Sequence, residues 1–178
     1  MAAQEIAVVA AVAAVIAGGC AARFYLGAER SIRRQLARIE EESGKEPAEP
    51  PEESANKARR LALLFHDPCT LSADHVGYQG NYTRAQLEAR IMRWRSVYSW
   101  MAIHIDDIVI TTTGNREATL HCTVHTTGEG SAGEVDDSPK VCFKLRKIRG
   151  RWLFTALTLL EAATPSDDPH QDLLTAVE

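Results

Sequence analysis

The sequence predicts an α+β fold in which helices come first and an antiparallel sheet follows. Apolar and polar residues alternate through four runs near the carboxyl end, and turn residues such as Gly114-Asn115 and Arg149-Gly150 separate them. Earlier in the chain, apolar residues recur at helical spacing. We therefore expect about three helices packed on a four-stranded sheet. Its predicted strands are Trp100 to Thr113, Glu117 to Gly128, Lys140 to Arg149 and Arg151 to Glu161.

Each predicted helix has its own signal. Glu29 to Glu42 carries one apolar stripe, and it is expected either to connect segments or to lie on anionic lipid through its arginines. Asn56 to Phe65 repeats Ala and Leu at helical spacing, and Asp67-Pro68 is expected to end it. Thr83 precedes Gln86 by three residues, which is the capping-box spacing, so a third helix is predicted to begin there.

The segments between these helices predict loops and a small hairpin. Gly44 to Ser54 contains three prolines and several glutamates, which is typical of a solvated linker. Cys69 to Ala73 and Tyr78 to Tyr82 predict a short hairpin. The expected organisation is a membrane anchor or signal segment (1–27), a juxtamembrane helix and linker (28–53), a folded domain (54–163) and a flexible acidic tail (164–178).

The amino-terminal segment Ile6 to Ala22 is apolar and uncharged, and it is long enough to just span a bilayer. An uncleaved single-pass anchor is the main interpretation. A cleaved signal peptide is an alternative, although no Lys or Arg precedes the run. Lipoprotein processing at Cys20 is a third, although Ala17 replaces the leucine that such sites normally have.

The side of the membrane on which the domain lies follows from charge. Arginines such as Arg23 and Arg30 follow the apolar run, so the positive-inside rule places the carboxyl-terminal domain in the cytoplasm. Cysteines without a pairing pattern also favour a reducing compartment. Because bitopic bacterial proteins also export domains behind such segments, an exported domain stays open as the alternative.

Overall charge and motifs exclude several classes of function. A net charge of -4 and a pI near 5.9 argue against nucleic acid as a partner. The cysteines lack zinc-site spacing, and His121 and His125 stand about 13 Å apart on a strand, too far to share one metal ion. No phosphate-binding glycine loop or nucleophile elbow is present in the sequence. We predict neither a metal nor a cofactor.

Two phrases carry a resemblance to a known superfamily. Leu64 to Leu71 ahead of the hairpin and Lys147 to Phe154 at the last turn resemble the NTF2-like superfamily, which includes nuclear transport factor 2, ketosteroid isomerase, scytalone dehydratase and the SnoaL-like cyclases. The resemblance covers Ser54 to Ala163. It implies a cone, in which a strongly curved sheet surrounds a long helix and can enclose an apolar pocket. The catalytic acid of isomerase-like members matches Ala73 here, with Asp74 one residue later.

Two His and Asp pairs are the candidate acid–base groups. His104 and Asp106 point to one side of a predicted strand, about 7 Å apart along it, so their side chains can meet. The alternative is a solvated pair at a strand edge. His66 and Asp67 lie where the second helix is predicted to end, so they are expected to cap that helix or to face a pocket.

Apolar residues supply the candidate pocket and the candidate interface. The aromatic residues are interpreted as core packing or as the lining of an apolar ligand pocket. The leucines of the last strand are expected on the outer sheet face, where a second copy of the chain would cover them. The pocket candidates are Trp94, Tyr98, Trp100, Phe143 and Phe154, and the dimer-face candidates are Leu153, Leu157 and Leu159.

Two functions remain open at the level of sequence. The first is a membrane-tethered binding or assembly module without catalytic activity, which acts as a homodimer or with a protein partner. The second is a SnoaL-like enzyme that uses acid–base chemistry on a small apolar ligand. They differ in what the cone encloses, because an enzyme needs an open cavity with a desolvated acid or base.

Overall fold

A computed structural model describes residues 27–73 and 76–161. The predicted membrane run at 6–22, the predicted tail at 164–178 and Asp74 lie outside these residues. No helix in the described ranges is both long enough and apolar enough to cross a bilayer. The helices are α1 (27–43), α2 (Pro51–Ala62) and α3 (Arg84–Ser96). The strands are β1 (Phe65–Ala73), β2 (Tyr78–Tyr82), β3 (Tyr98–Thr113), β4 (Glu117–Gly130), β5 (Gly133–Asp137), β6 (Lys140–Ile148) and β7 (Arg151–Glu161).

All of these strands form one mixed sheet in the order β2-β1-β7-β6-β4-β3, with β5 paired to β4. The α+β class, the four long strands and the short hairpin are confirmed. The four-stranded antiparallel sheet is a partial description, because β1 pairs in parallel with β7 and brings the hairpin into the sheet. β5 falls in the segment predicted as a turn between β4 and β6, and it prolongs the β4 pairing there.

The second helix begins earlier than predicted, at Pro51. Proline is tolerated at the first helical position, because the amide that it lacks has no partner there. Glu52 and Glu53 then lie in the first turn and Arg59 and Arg60 in the last, which complements the helix dipole. Part of the predicted linker is therefore helix. The capping box that opens α3 is confirmed, with the Thr83 and Gln86 side chains bonding each other's backbone amides.

Helix α1 is more than the predicted connector, because its apolar stripe lies inside the domain and only its arginine face remains available to a lipid surface. Ile32, Leu36 and Ile39 are 0%, 2% and 8% exposed, and they belong to the same hydrophobic cluster as residues of α2, α3 and the sheet. The arginines occupy the opposite, exposed face of the helix. The folded domain therefore takes in α1, and its core extends ahead of residue 54.

A buried arginine holds the ends of the helices together. Arg95, near the end of α3, is 0% exposed. Its guanidinium donates to the backbone carbonyls of Glu42, Ser43 and Gly44 at 2.9, 2.7 and 3.1 Å, where α1 ends. These carbonyls have no partner within the helix, so Arg95 supplies the C-terminal cap.

The remaining donors of Arg95 bind the segments on either side of the α2 start. Nε donates to Ser54 Oγ at 3.1 Å, and one terminal nitrogen donates to Glu49 Oε1 at 2.6 Å. Lys57 contributes a second cation, 2.7 Å from Glu49 Oε2. Burial raises the pKa of the Glu49 carboxyl, but its hydrogen bonds to Lys57 and Arg95 and their charges outweigh burial and hold that pKa below its ordinary value.

Replacing Arg95 with methionine is expected to lower the free energy of unfolding by about 3 to 5 kcal/mol, because it removes one of the two cations that bind the Glu49 carboxylate and leaves the carbonyls of Glu42 and Ser43 without this donor. Urea unfolding followed by circular dichroism measures the change. Arg93→Met is the control: this arginine is exposed on the same helix, and its loss should cost no more than about 0.5 kcal/mol. Equal effects of the two substitutions would contradict the structural role of Arg95.

Acid should weaken the same network. Because the folded pKa of Glu49 lies below its unfolded value, the stabilisation is complete above about pH 4.3, the unperturbed value, and is lost as pH falls through the folded pKa. Glu49→Gln should therefore destabilise the protein at neutral pH, and its difference from the wild type should shrink as the pH is lowered. Urea unfolding over that range tests this, with the exposed Glu52→Gln as the control.

Candidate functional site

The predicted pair of His104 and Asp106 forms on β3. Asp106 Oδ1 lies 3.2 Å from His104 Nε2. Both residues alternate with Met101, Ile103 and Ile105, which face the core side, so the pair lies on the outer face of the sheet. Their side chains are 70% and 53% exposed. The two groups meet as predicted, and they meet in solvent.

Two further residues complete this group, which we call the edge cluster: Glu40, His104, Asp106 and His125. Glu40 Oε1 lies 3.1 Å from His104 Nδ1, and it accepts the backbone N–H of Ile105 at 2.7 Å. His125 is the register partner of His104 on β4, and its Nε2 lies 3.7 Å from Asp106 Oδ2. Sequence analysis missed Glu40, because only the packing of α1 along the β3 edge brings it there.

The edge cluster is poorly arranged for general base catalysis. Carboxylate oxygens lie 3.1 and 3.2 Å from the two ring nitrogens of His104. Water also surrounds the cluster, whereas a tuned base needs a dry site. Within 27–73 and 76–161, no His, Cys, Asp and Glu side chains are grouped so that they could hold a metal ion.

The second predicted pair, His66 and Asp67, lies on β1 and does not end a helix. His66 Nδ1 lies 2.9 Å from the carbonyl oxygen of Pro68. Asp67 Oδ1 accepts the backbone N–H of Arg84 at 3.2 Å, so this carboxylate caps the start of α3. Asp67 was predicted to cap the end of the second helix, and instead it caps the start of α3. A carboxylate there complements the positive end of the helix dipole. Asp67 is exposed, and His66 is half-buried.

Aromatic side chains fill the interior of the cone. The rings of Phe65 and Phe143 pack on Phe154, with centroids 5.4 and 5.0 Å from it. Phe154 and Leu120 are both 0% exposed. The α1 stripe closes the same hydrophobic cluster from the helical side. Of the residues predicted to line a pocket, Phe143 and Phe154 therefore form the packed core.

The other predicted pocket residues lie apart from that core. Trp94 packs edge-on against Tyr98, with centroids 5.8 Å apart. Tyr98 is buried, but it does not belong to the cluster that contains Phe154. Trp100 is 36% exposed. The five aromatic residues predicted to line one pocket are thus divided between the core and the start of β3.

The predicted dimer-face leucines divide between the two faces of the sheet. Leu153 pairs with Arg146 and lies on the outer face. A register shift follows, after which Leu157 pairs with Phe143 and Leu159 with Val141, so both point to the core side. Strict alternation from the Arg149-Gly150 turn predicted one face for all three. The bulge adds a residue to β7 and reverses the side-chain direction beyond it.

Within the described ranges, Cys69, Cys122 and Cys142 are not joined in disulfides, and burial affects the reactivity of two of them. The register places Cys122 opposite Val141 on the core side and Cys142 on the outer face, as the apolar pattern predicts. Burial, and to a lesser extent the neighbouring Cys142, raises the pKa of Cys122 to about 12. Burial also raises the pKa of Cys69. A thiol with a raised pKa is a weak nucleophile at neutral pH.

Cys122 should therefore resist iodoacetamide in the folded protein at mildly alkaline pH and become modified once urea unfolds the chain. Modification of each cysteine can be followed by peptide mass spectrometry. A rate for Cys122 in the native protein that equals its rate in urea would contradict the buried placement of this thiol.

Comparisons with known proteins found similar architectures among solved structures. No protein-family model matches the sequence, and no curated protein matches it. A protein of unknown function from Mycobacterium tuberculosis is similar in structure, with a TM-score of 0.63, 17% identity, and 82% of this chain and 78% of that one covered. A candidate scytalone dehydratase from Novosphingobium aromaticivorans has a TM-score of 0.61 and 18% identity, with 82% and 97% covered. The hexachlorocyclohexane dehydrochlorinase LinA-type3 from Novosphingobium barchaimii has a TM-score of 0.61 and 10% identity, with 82% and 94% covered.

These similarities define a class of protein, an α+β cone with helices packed against a curved mixed sheet. More specifically, the chain has the NTF2-like fold, as the resemblance implied. At these identities the likeness establishes the fold alone. Function on such a fold depends on the particular site, so it must be argued from the residues of this chain.

Proposed function

We propose that this chain is a membrane-tethered NTF2-like domain that acts as a binding or assembly module without catalytic activity. The observation that carries the proposal is the packed interior. The rings of Phe65 and Phe143 pack against Phe154 in the interior, and the apolar stripe of α1 belongs to the same hydrophobic cluster. A ligand site needs a cavity that buries most of the ligand.

The polar groups of the domain also favour binding over catalysis. His104 and Asp106 lie on the outer face, and Asp67 serves as a helix cap. Ala73 occupies the position that matches the acid of isomerase-like relatives, and it is 3% exposed on the core side. The names of some structural neighbours are those of enzymes, but of the candidate acid–base groups that the structure describes, His104 and Asp106 lie on the outer face and Asp67 is exposed.

The tether is inferred from the sequence before α1. Ile6 to Ala22 can just span a bilayer, and the arginines after it favour a cytoplasmic domain over an exported one. A domain tethered to a membrane binds its partners through its exposed surface. We therefore look for its binding sites on the outer faces of the domain.

The outer sheet face is the surface proposed for a second copy of the chain. No described element covers the outer face of β3, β4 and β6, which carries threonines, His121 and Lys144. Leu153 and the 59% exposed Val109 provide apolar contacts on it. A mostly polar face with few apolar residues suits a homodimer that exchanges with monomer.

Truncating Phe154 should open the interior. We expect Phe154→Ala to lose about 3 to 5 kcal/mol of stability and to gain saturable binding of benzene, as dry apolar cavities do. Ligand-observed NMR measures the binding. Leu153→Ala changes the neighbouring residue on the outer face, and this control should bind no benzene. Saturable binding of benzene by the wild-type protein would instead favour the enzyme alternative.

Introducing a charge on the outer sheet face should dissociate the dimer. Val109→Asp is expected to convert the full-length chain in detergent from dimer to monomer, because it buries an unpaired carboxylate in the interface. Light scattering corrected for bound detergent measures the mass. Leu63→Asp is the control, since Leu63 is similarly exposed, at 44%, but lies at the end of α2, away from the sheet face. A wild-type protein that is already monomeric would remove homodimerisation from the proposal.

A further inference from the structure

Positive charge collects at one end of the domain, although the chain as a whole carries a net charge of -4. The β3–β4 turn (114–116) and the β6–β7 turn (149–150) meet there, because the Lys147 amide donates to the carbonyl of Arg116 at 2.7 Å. We call this region the turn end. Four basic residues belong to these two turns and their flanks, and all four are exposed: Arg116, Lys147, Arg149 and Arg151.

Helix α1 starts toward the same end. At its other end Lys45 pairs antiparallel with Met101, through hydrogen bonds of 2.7 and 2.9 Å. Four residues further along β3, Ile105 donates to Glu40 at 2.7 Å. Moving back along α1 therefore means moving forward along β3, toward the 114–116 turn. The start of α1, at residue 27, therefore lies toward that side of the domain.

Arginines on α1 extend the positive surface. Arg30, Arg34 and Arg38 are spaced four residues apart, so they form one line on the exposed side of the helix. Arg38 and Arg151 line a common surface concavity of about 360 Å³, together with the exposed Leu63. The helix and the β6–β7 turn thus share one continuous surface.

These basic groups are not neutralised within the domain. In the described ranges, no ion pair or hydrogen bond involves the side chains of these basic residues. They are Arg30, Arg34, Arg38, Arg116, Lys147, Arg149 and Arg151. Of the acids near them, Glu29 is bound to Arg33 and Glu117 to Arg146, while Glu41 and Glu42 also line the concavity. The opposite end of the domain, at the β4–β5 hairpin, is acidic. Its acidic residues are Glu129, Glu134, Asp136 and Asp137.

We infer that the turn end docks on an anionic phospholipid surface, with Arg149 and Arg151 at its centre and the α1 arginines beside them. The inference rests on the proposed tether. The chain from Ala22 to Gly27 spans at most about 18 Å when fully extended, so a bilayer that holds Ile6 to Ala22 lies within that distance of the start of α1. Exposed guanidinium groups at this distance bind lipid phosphates and carry the domain down onto the surface.

The test uses the full-length chain reconstituted into vesicles of phosphatidylcholine, with or without phosphatidylglycerol. Amide hydrogen exchange is measured in peptides that cover the 114–116 and 149–150 turns. We expect phosphatidylglycerol to slow exchange there about ten-fold at low salt, and we expect high salt to remove the effect. Exchange in the β4–β5 hairpin, at the acidic end, should not change.

Matched variants assign the effect to this surface. Arg149→Gln/Arg151→Gln should abolish most of the slowing, while Arg90→Gln/Arg93→Gln removes the same charge from α3 and should retain it. Equal loss in both variants, or no dependence on phosphatidylglycerol, would overturn the inference. Equal protection by inorganic phosphate in phosphatidylcholine vesicles would also overturn it, since it would indicate a small-anion site.

Alkaline carbonate extraction of the same vesicles reports on the tether separately. A chain that resists extraction but shows no effect of phosphatidylglycerol keeps the tether and loses the docking surface. A chain that is extracted from phosphatidylcholine yet shows the lipid-dependent slowing keeps the docking surface and loses the tether.

Discussion

The fold depends on one buried cation, Arg95. Its guanidinium donates all of its hydrogen bonds to groups from three separate segments: the end of α1, Glu49 in the linker, and Ser54 in α2. Those segments carry exposed charges and little apolar surface, so hydrophobic burial alone would not fix their positions. With Arg95 in place, α1 is held where its apolar stripe meets the sheet. A buried guanidinium is stable only when its donors are satisfied, so the network forms as a unit.

The placement of α1 has a consequence for function. The helix brings Ile32 and Leu36 onto the same core as Phe154, and the interior of the cone becomes a packed core. Structural neighbours of the same fold include proteins named as a dehydratase or a dehydrochlorinase. In this chain, Phe65, Phe143 and Phe154 pack in the interior, and for that reason our proposal assigns interactions to the outer faces of the domain.

The local sequence pattern predicted some side-chain positions in the candidate sites correctly and others incorrectly. Alternation along β3 was enough to bring His104 and Asp106 together, because a strand fixes which side chains share a face. It was not enough to find Glu40, which comes from a helix that sequence analysis treated as a connector. It also failed for Leu157 and Leu159, because a register shift between β6 and β7 reversed the direction of these side chains. Basic residues of separate turns likewise formed one surface only after β4 and β6 had paired.

The sequence by itself determined the class of fold, the four long strands, the hairpin, the capping box at Thr83 and the opposite facing of Cys122 and Cys142. These features are local, since period, capping and turn chemistry act over a few residues. Tertiary structure decided the parallel pairing of β1 with β7, the burial of Arg95, the membership of α1 in the core and the solvent exposure of the His104 pair. Each of these depends on contacts between residues far apart in the chain, and no local pattern records which distant partner a side chain will meet.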